Sequence, residues 1–325
     1  MCMGCDLLQG LDLDALSPQQ AWVPTRLHLP DGLGTASLRE LFPRGDAPLN
    51  GRLSRCSQRA ANRHGLANAW LVSPVTPRFA QVSIDGFREF WKAQLDGEIT
   101  AGLRYQINLP TPYTLLAGSV PEQQCLQLLP ELERGFVDEL AVLLRELPPE
   151  MLALQWDACG ETRVWETRGR DLASPRGLPE RLLASFVTLC AAVPDTMELG
   201  FHFCHRDASG REPLVPADAG QVARLLGAII ASCDREVAFV HIPVPATRPD
   251  SSYFEPLANL ALWPQMQVYL GLLHAGDDAE AASARLAAAQ AVLRNFGLGV
   301  ACGCDPATAL PGLAALVQLQ DQARH

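Results

Sequence analysis

His202 and Cys204 stand two residues apart in an apolar run, 197–204, that reads as a strand, so both side chains leave the same face. Cys302 ends a second apolar run, 297–302. One imidazole and two thiolates form a soft donor set that suits Zn²⁺ and leaves a fourth position for protein or substrate. An isolated His-x-Cys is more often a hydrogen-bonded core pair, so where the fold puts these residues decides the reading. Other reactive side chains also fall at strand ends. Gln106 and Asn108 lie in 103–109, Asp157 ends 151–156, His241 lies in 236–243 and His274 follows 267–273. A carboxylate at the end of an apolar strand is costly to desolvate unless a cation, metal or hydrogen bonds satisfy it, so Asp157 is expected to meet a cationic group of the substrate or else to serve as a helix cap or structural salt bridge.

The elements that must position these residues follow from periodicity. From Ser83 the chain alternates helix and strand about six times, with strands apolar almost throughout, as buried parallel strands are. Helices are expected at 83–95, with Ser83 as cap and Phe87, Phe90, Trp91 and Leu95 on one face, and at 121–147, with Pro130 a candidate break. Others are expected at 178–193, 216–233, 278–295 and 306–324. No Gly-x-Gly-x-x-Gly turn follows a strand, which removes the warrant for a dinucleotide-binding sheet. The expected fold class is α/β, a (β/α)8 TIM barrel in which an irregular segment, 1–85, contributes the first barrel elements and 86–325 the main part. Short strands are expected at 26–30 and 66–75. In such a barrel the active site forms at the C-terminal strand ends, where three histidines and at least two cysteines would converge.

The 325 residues are 48% hydrophobic and 19% charged, enough for a large core, and the net charge of −10 has the wrong sign for a protein that binds nucleic acid or anionic lipid. No apolar run is long enough to span a bilayer, and the start, Met1-Cys-Met-Gly-Cys-Asp, lacks a basic region followed by an apolar stretch. The expectation is a cytoplasmic protein with a small-molecule partner, of a kind to be read from the site. Ten cysteines are too dilute for a disulfide scaffold and are expected to be core fillers, metal ligands or nucleophiles. Cys125, Cys190 and Cys233 fall in helical patterns and read as core.

From about Ser83 onward the sequence resembles the catalytic barrel of cobalamin-independent methionine synthase, in the superfamily shared with uroporphyrinogen decarboxylase. The segments that carry the resemblance are 103–112, 154–157, 198–204, 240–245, 269–274 and 296–303 (LRYQINLPTP, LQWD, ELGFHFC, VHIPVP, YLGLLH and FGLGVACG). The resemblance implies that His202, Cys204 and Cys302 bind zinc, and that Asp157 holds the amino group of an amino-acid-like thiol. His241 takes the position of an acidic ligand in the synthases, and is expected to be either a fourth ligand that yields to the substrate sulfur or, if Pro243 and Pro245 tilt the strand end, a hydrogen-bond partner of substrate or backbone. His274 is a further candidate catalytic residue, and Gln106, Arg206 and Tyr253 are further candidate substrate contacts. The implied activity is zinc-dependent methyl or alkyl transfer to or from a thiol. Nothing here matches the folate-handling half of those synthases, so a donor other than folate is expected.

Two other readings belong beside it. One is a lyase or decarboxylase acting on a carboxylated small molecule, with Arg104, Arg206 and Arg248 as carboxylate partners. The other is a barrel that binds metal without catalysis. Cys304 could replace Cys302 as a ligand, and Cys2 and Cys5, with Cys56 the next candidate, could form a second metal or redox site.

Overall fold

The apolar runs become strands because their alternate residues have two different faces to satisfy. In the computed structural model, which describes residues 79–97, 102–117, 121–168, 177–205, 215–263, 265–274 and 276–302, there are six: β1 (Tyr105–Pro110), β2 (Leu152–Asp157), β3 (Glu198–His202), β4 (Phe239–Pro243), β5 (Gln267–Leu273) and β6 (Gly297–Val300). The expected strands at 26–30 and 66–75, the helix at 306–324, and Cys2, Cys5, Cys56, Arg206 and Cys304 lie outside the described residues.

All neighbouring strands are parallel, and their order in the sheet is their order in the chain. A doubly wound sheet reverses order at a switch point, whereas a barrel-like α/β fold does not, so the six strands are compatible with the latter. One face packs on helices. Tyr105 lies against Phe87 and Phe90 of α1 (Ala80–Leu95), and Trp156 against Phe136 of α3 (Glu122–Glu146). Phe201 lies edge-on to Phe186 of α5 (Leu178–Ala191). The short α2 (Pro112–Leu116) follows β1, α4 (Cys159–Arg168) follows β2, α6 (Gly220–Ser232) precedes β4, and α7 (Ala279–Gln290) precedes β6. No helix among the described residues is long and apolar enough to cross a membrane.

Several helix details differ from expectation. α1 begins at Ala80, with its first amide donating to Glu139 of α3, so Ser83 is a buried interior residue and not the cap. Its buried stripe runs through Ile84, Phe87 and Phe90, which leaves Trp91 and Leu95 exposed at 41% and 69%. α3 continues through Pro130, whose ring lies on the exposed side, where water can replace the hydrogen bond its missing N–H forfeits. Asp278 caps α7, its carboxylate accepting from the Ala281 amide at 2.8 Å.

The other face of the sheet is polar at its C-terminal ends and carries small residues that make room for rings. A Cβ at Gly299 would lie 2.6 Å from Nε2 of His241, and one at Gly271 3.3 Å from the same ring. His241 on β4 thus reaches β6 across two strand spacings of about 4.8 Å each, which requires the sheet to curl toward this face.

Candidate metal centre

Asp157, His202 and His241 are successive register partners across β2, β3 and β4, so their side chains stand side by side on the face away from the helices. Two residues beyond Asp157 lies Cys159, and two beyond His202 lies Cys204. The ligand atoms of Cys159, His202 and Cys204 all lie within 4.8 Å of one another, and all three residues are buried. Cys302, just past β6, packs against the two cysteines. The fold therefore gathers sulfur from three strand ends around one imidazole.

Cys302 makes hydrogen bonds with Cys204 and with His202. The Cys204 bond, opposed by burial and reinforced by His202, holds the Cys302 thiol well below its ordinary value. His202 is pulled down by burial, yet the hydrogen bond and charge of Cys302, then the charge of Asp157, carry it above its ordinary value. Five described cysteines, Cys204 and Cys302 among them, are thiols, whereas Cys159 is disulfide-bonded. This departs from the expected all-thiol chemistry, and Cys159 can bind a metal only after reduction.

His241 stands outside this group. Its Nδ1 lies 2.6 Å from Nδ1 of His202, with the rings stacked at 4.7 Å, so one proton is shared between the two imidazoles. Burial first, and then the His202 charge, lower His241 well below its ordinary value, which keeps it neutral. Its Nε2 is buried without a hydrogen-bond partner. The contact leaves Nε2 of His202 as the nitrogen available to a metal, the arrangement in which a second group fixes the tautomer of a ligating histidine.

A polar chain crosses the same face. Gln106 Nε2 donates to Asn108 Oδ1 at 2.7 Å and to Gln155 Oε1 at 3.3 Å, and Gln155 Nε2 donates to Asp157 Oδ1 at 3.0 Å. The chain stops there, with Asp157 Oδ2 and Gln106 Oε1 buried and unpartnered. Burial pushes the Asp157 carboxyl up to about 7, against the lowering effects of His202 and Gln155. Four residues on, Glu161 of α4 is also pushed up to about 7 by burial, but the hydroxyls of Thr111 and Thr114 donate to its two oxygens at 2.7 and 2.9 Å.

The remaining candidates are placed elsewhere. Tyr253 is fully buried, and its hydroxyl donates to the Pro243 carbonyl, propping the end of β4. His274 Nε2 donates to the Val244 carbonyl at 2.9 Å and its amide to Asp277, a carboxylate that also pairs with Arg285. Arg104 pairs with Glu198 at the start of β3, and Arg248 with Asp250. Cys159, Gln155 and Glu161 carried no expectation from the sequence. Asp157-x-Cys159 nevertheless repeats the two-residue spacing of His202-x-Cys204, and that was the available signal.

No protein-family profile matches this chain, and no curated protein matches it. Four solved chains match, among them a candidate vitamin-B12-independent methionine synthase from Listeria monocytogenes, at 16% identity and a TM-score of 0.43. That match covers 67% of this chain and 63% of the other, so this chain spans less than two thirds of its length.

Proposed function

We propose that the chain is a zinc-dependent transferase that moves a methyl or other alkyl group to or from the sulfur of an amino-acid-like thiol. The observation that carries this reading is a buried sulfur and imidazole donor set beside a carboxylate that has one oxygen unpaired. Ligand atoms in a tetrahedral zinc site lie about 3.5 to 3.8 Å apart, given zinc to sulfur bonds of about 2.3 Å and zinc to imidazole bonds of about 2.0 to 2.1 Å. A group already within 4.8 Å fits without movement of a strand. His202 and Cys204 would hold the ion, with Cys302 and, once reduced, Cys159 completing the set. Bound zinc would supply the positive charge that draws the proton from a substrate thiol.

The rest is done by the chain itself. Asp157 Oδ2 accepts from the substrate ammonium, while Gln155 fixes its other oxygen and so sets the angle of approach. His241 holds the Nδ1 proton of His202 and keeps that ring turned toward the thiols. Burial of all three groups excludes water, which favours transfer to sulfur over hydrolysis. The lyase reading has less to rest on, because Arg104 and Arg248 are already paired with carboxylates of the chain.

The test is elemental analysis of protein purified with zinc and a phosphine reductant, followed by cobalt substitution. About one metal per chain is expected, lost in Cys204→Ser, with thiolate-to-cobalt absorption that rises on adding cysteamine and not on adding ethanolamine. Absence of bound metal overturns the reading. Metal retained with no response to cysteamine leaves a metal-binding barrel without thiol chemistry.

A further inference from the structure

We propose that Cys190 and Cys233 form a peroxide-oxidisable dithiol whose disulfide would tie the end of α5 to the end of α6. Both cysteines read as core from the sequence, and both are buried, but their sulfur atoms lie 3.1 Å apart. That is well inside an ordinary side-chain contact of about 4 Å. A disulfide bond of about 2.05 Å requires the sulfurs to close by only about 1 Å. Cys190 is in the last turn of α5, and Cys233 caps the C-terminus of α6, its amide donating to Ile229. These points precede β3 and β4, so the pair sits at the opposite end of the strands from the metal centre, and the proposed function makes no use of it.

The surroundings give the two sulfurs different parts. Arg235 is fixed beside them by donating to the carbonyls of Val193, Pro194 and Met197, at 2.5, 2.9 and 2.8 Å. The hydrogen bond shared with Cys190 lowers Cys233, burial and Asp234 oppose, and Arg235 adds to the lowering. Cys190 is raised, by Cys233 and by burial. Cys233 is also the more exposed, at 6% against 1%. A cysteine poised next to a resolving thiol is of the kind that peroxide oxidises reversibly once it reaches the sulfur, and Cys233, the more exposed of the two, is the one it meets first.

The Cys233 thiolate attacks one oxygen of hydrogen peroxide, the O–O bond breaks, and the departing oxygen leaves as hydroxide, giving a sulfenic acid. Cys190 Sγ then attacks that sulfur, the S–S bond forms and the S–O bond breaks. The second hydroxide leaves, and with the Cys190 proton and one from solvent both leave as water. Two thiols are oxidised to one disulfide and one peroxide is reduced to two waters.

The test uses the native, reduced chain treated with about one equivalent of hydrogen peroxide, quenched by alkylation and digested with trypsin. A reductant-sensitive link between peptides 182–206 and 225–235 is expected, lighter than the two reduced peptides by two hydrogens. Fragmentation must assign the bond to Cys190, because Cys204 lies in the same peptide. In Cys233→Ser, checked for fold by circular dichroism, Cys190 should stay fully alkylatable after peroxide. The proposal is overturned if both cysteines of the native chain remain alkylatable. It is equally overturned if either is driven to a sulfinic acid without forming the link.

Discussion

Asp157 and Glu161 sit four residues apart, at the end of β2 and in the first turn of α4, and burial raises both fully buried carboxyls to about 7. Their partners differ. Glu161 has a threonine hydroxyl on each oxygen, whereas Asp157 has Gln155 on one oxygen and no hydrogen-bond partner on the other. Burial and a raised pKa therefore do not by themselves separate a carboxyl that holds the fold from one that awaits a ligand; the unpaired oxygen does. The same contrast runs along the strands. Near their N-terminal ends Arg235 and Arg104 spend their donors on carbonyls and on Glu198, while toward the C-terminal ends Asp157 and His241 each keep a buried polar atom unpaired.

The largest expected effect is at Glu161. The fold holds its proton up to about pH 7, whereas an unfolded glutamate loses it near 4.5, so its stabilising contribution is full below about 4.5 and declines as pH rises to 7. The change is on the order of 3 kcal/mol, read from urea unfolding at a series of pH values, and Glu161→Gln should flatten that part of the curve. An unaltered pH profile in Glu161→Gln would show that the fold does not hold the Glu161 proton.

Asp157→Asn is the complementary change. It should weaken the response to an amino thiol by about 10- to 100-fold, the worth of a charged hydrogen bond of about 1.5 to 3 kcal/mol. Titration of the cobalt-substituted protein with cysteamine would read it. Equal affinity for cysteamine in variant and parent would return Asp157 to a structural role.

Gly299→Ala puts a methyl 2.6 Å from His241 Nε2 and should cost about 1 to 2 kcal/mol while displacing that ring from His202. The imidazole resonances report the displacement and thermal unfolding the cost. The smallest effect is at Gly227, inside α6, where an added Cβ meets nothing within 4 Å. Gly227→Ala should stabilise by about 0.5 to 1 kcal/mol in the same unfolding assay, so the polar end and the helix layer respond with opposite sign.

The six strands were legible because each is an apolar run between turn signals, and the strand-end positions of Asp157, His202, His241 and Cys302 follow directly from that. α4 was not legible. Its sequence, with Gly160 and several charged residues, has no apolar period, and it buries Glu161 and Thr162 through hydrogen bonds that periodicity does not detect. Cys159 went unseen with it. The position of His241 could be read, but its contact with His202 could not, because it depends on the register between β3 and β4. Arg104 and Arg248 show the converse: their charge was plain, and their pairing with Glu198 and Asp250 was visible only once the chain had folded.

The strict agreement between strand order and chain order also orders events in time. Each strand finds its neighbour among the residues made just before it, so the sheet can be built by successive local additions during synthesis, without waiting for a distant partner. The polar row then lengthens with the chain, from Asp157 to His202 to His241. Cys302, which follows β6, arrives last of the sulfur donors. Until it docks, water still reaches the groups it will cover, so the cost of desolvating them falls on the closing steps of assembly, when five strands are already in place to bear it.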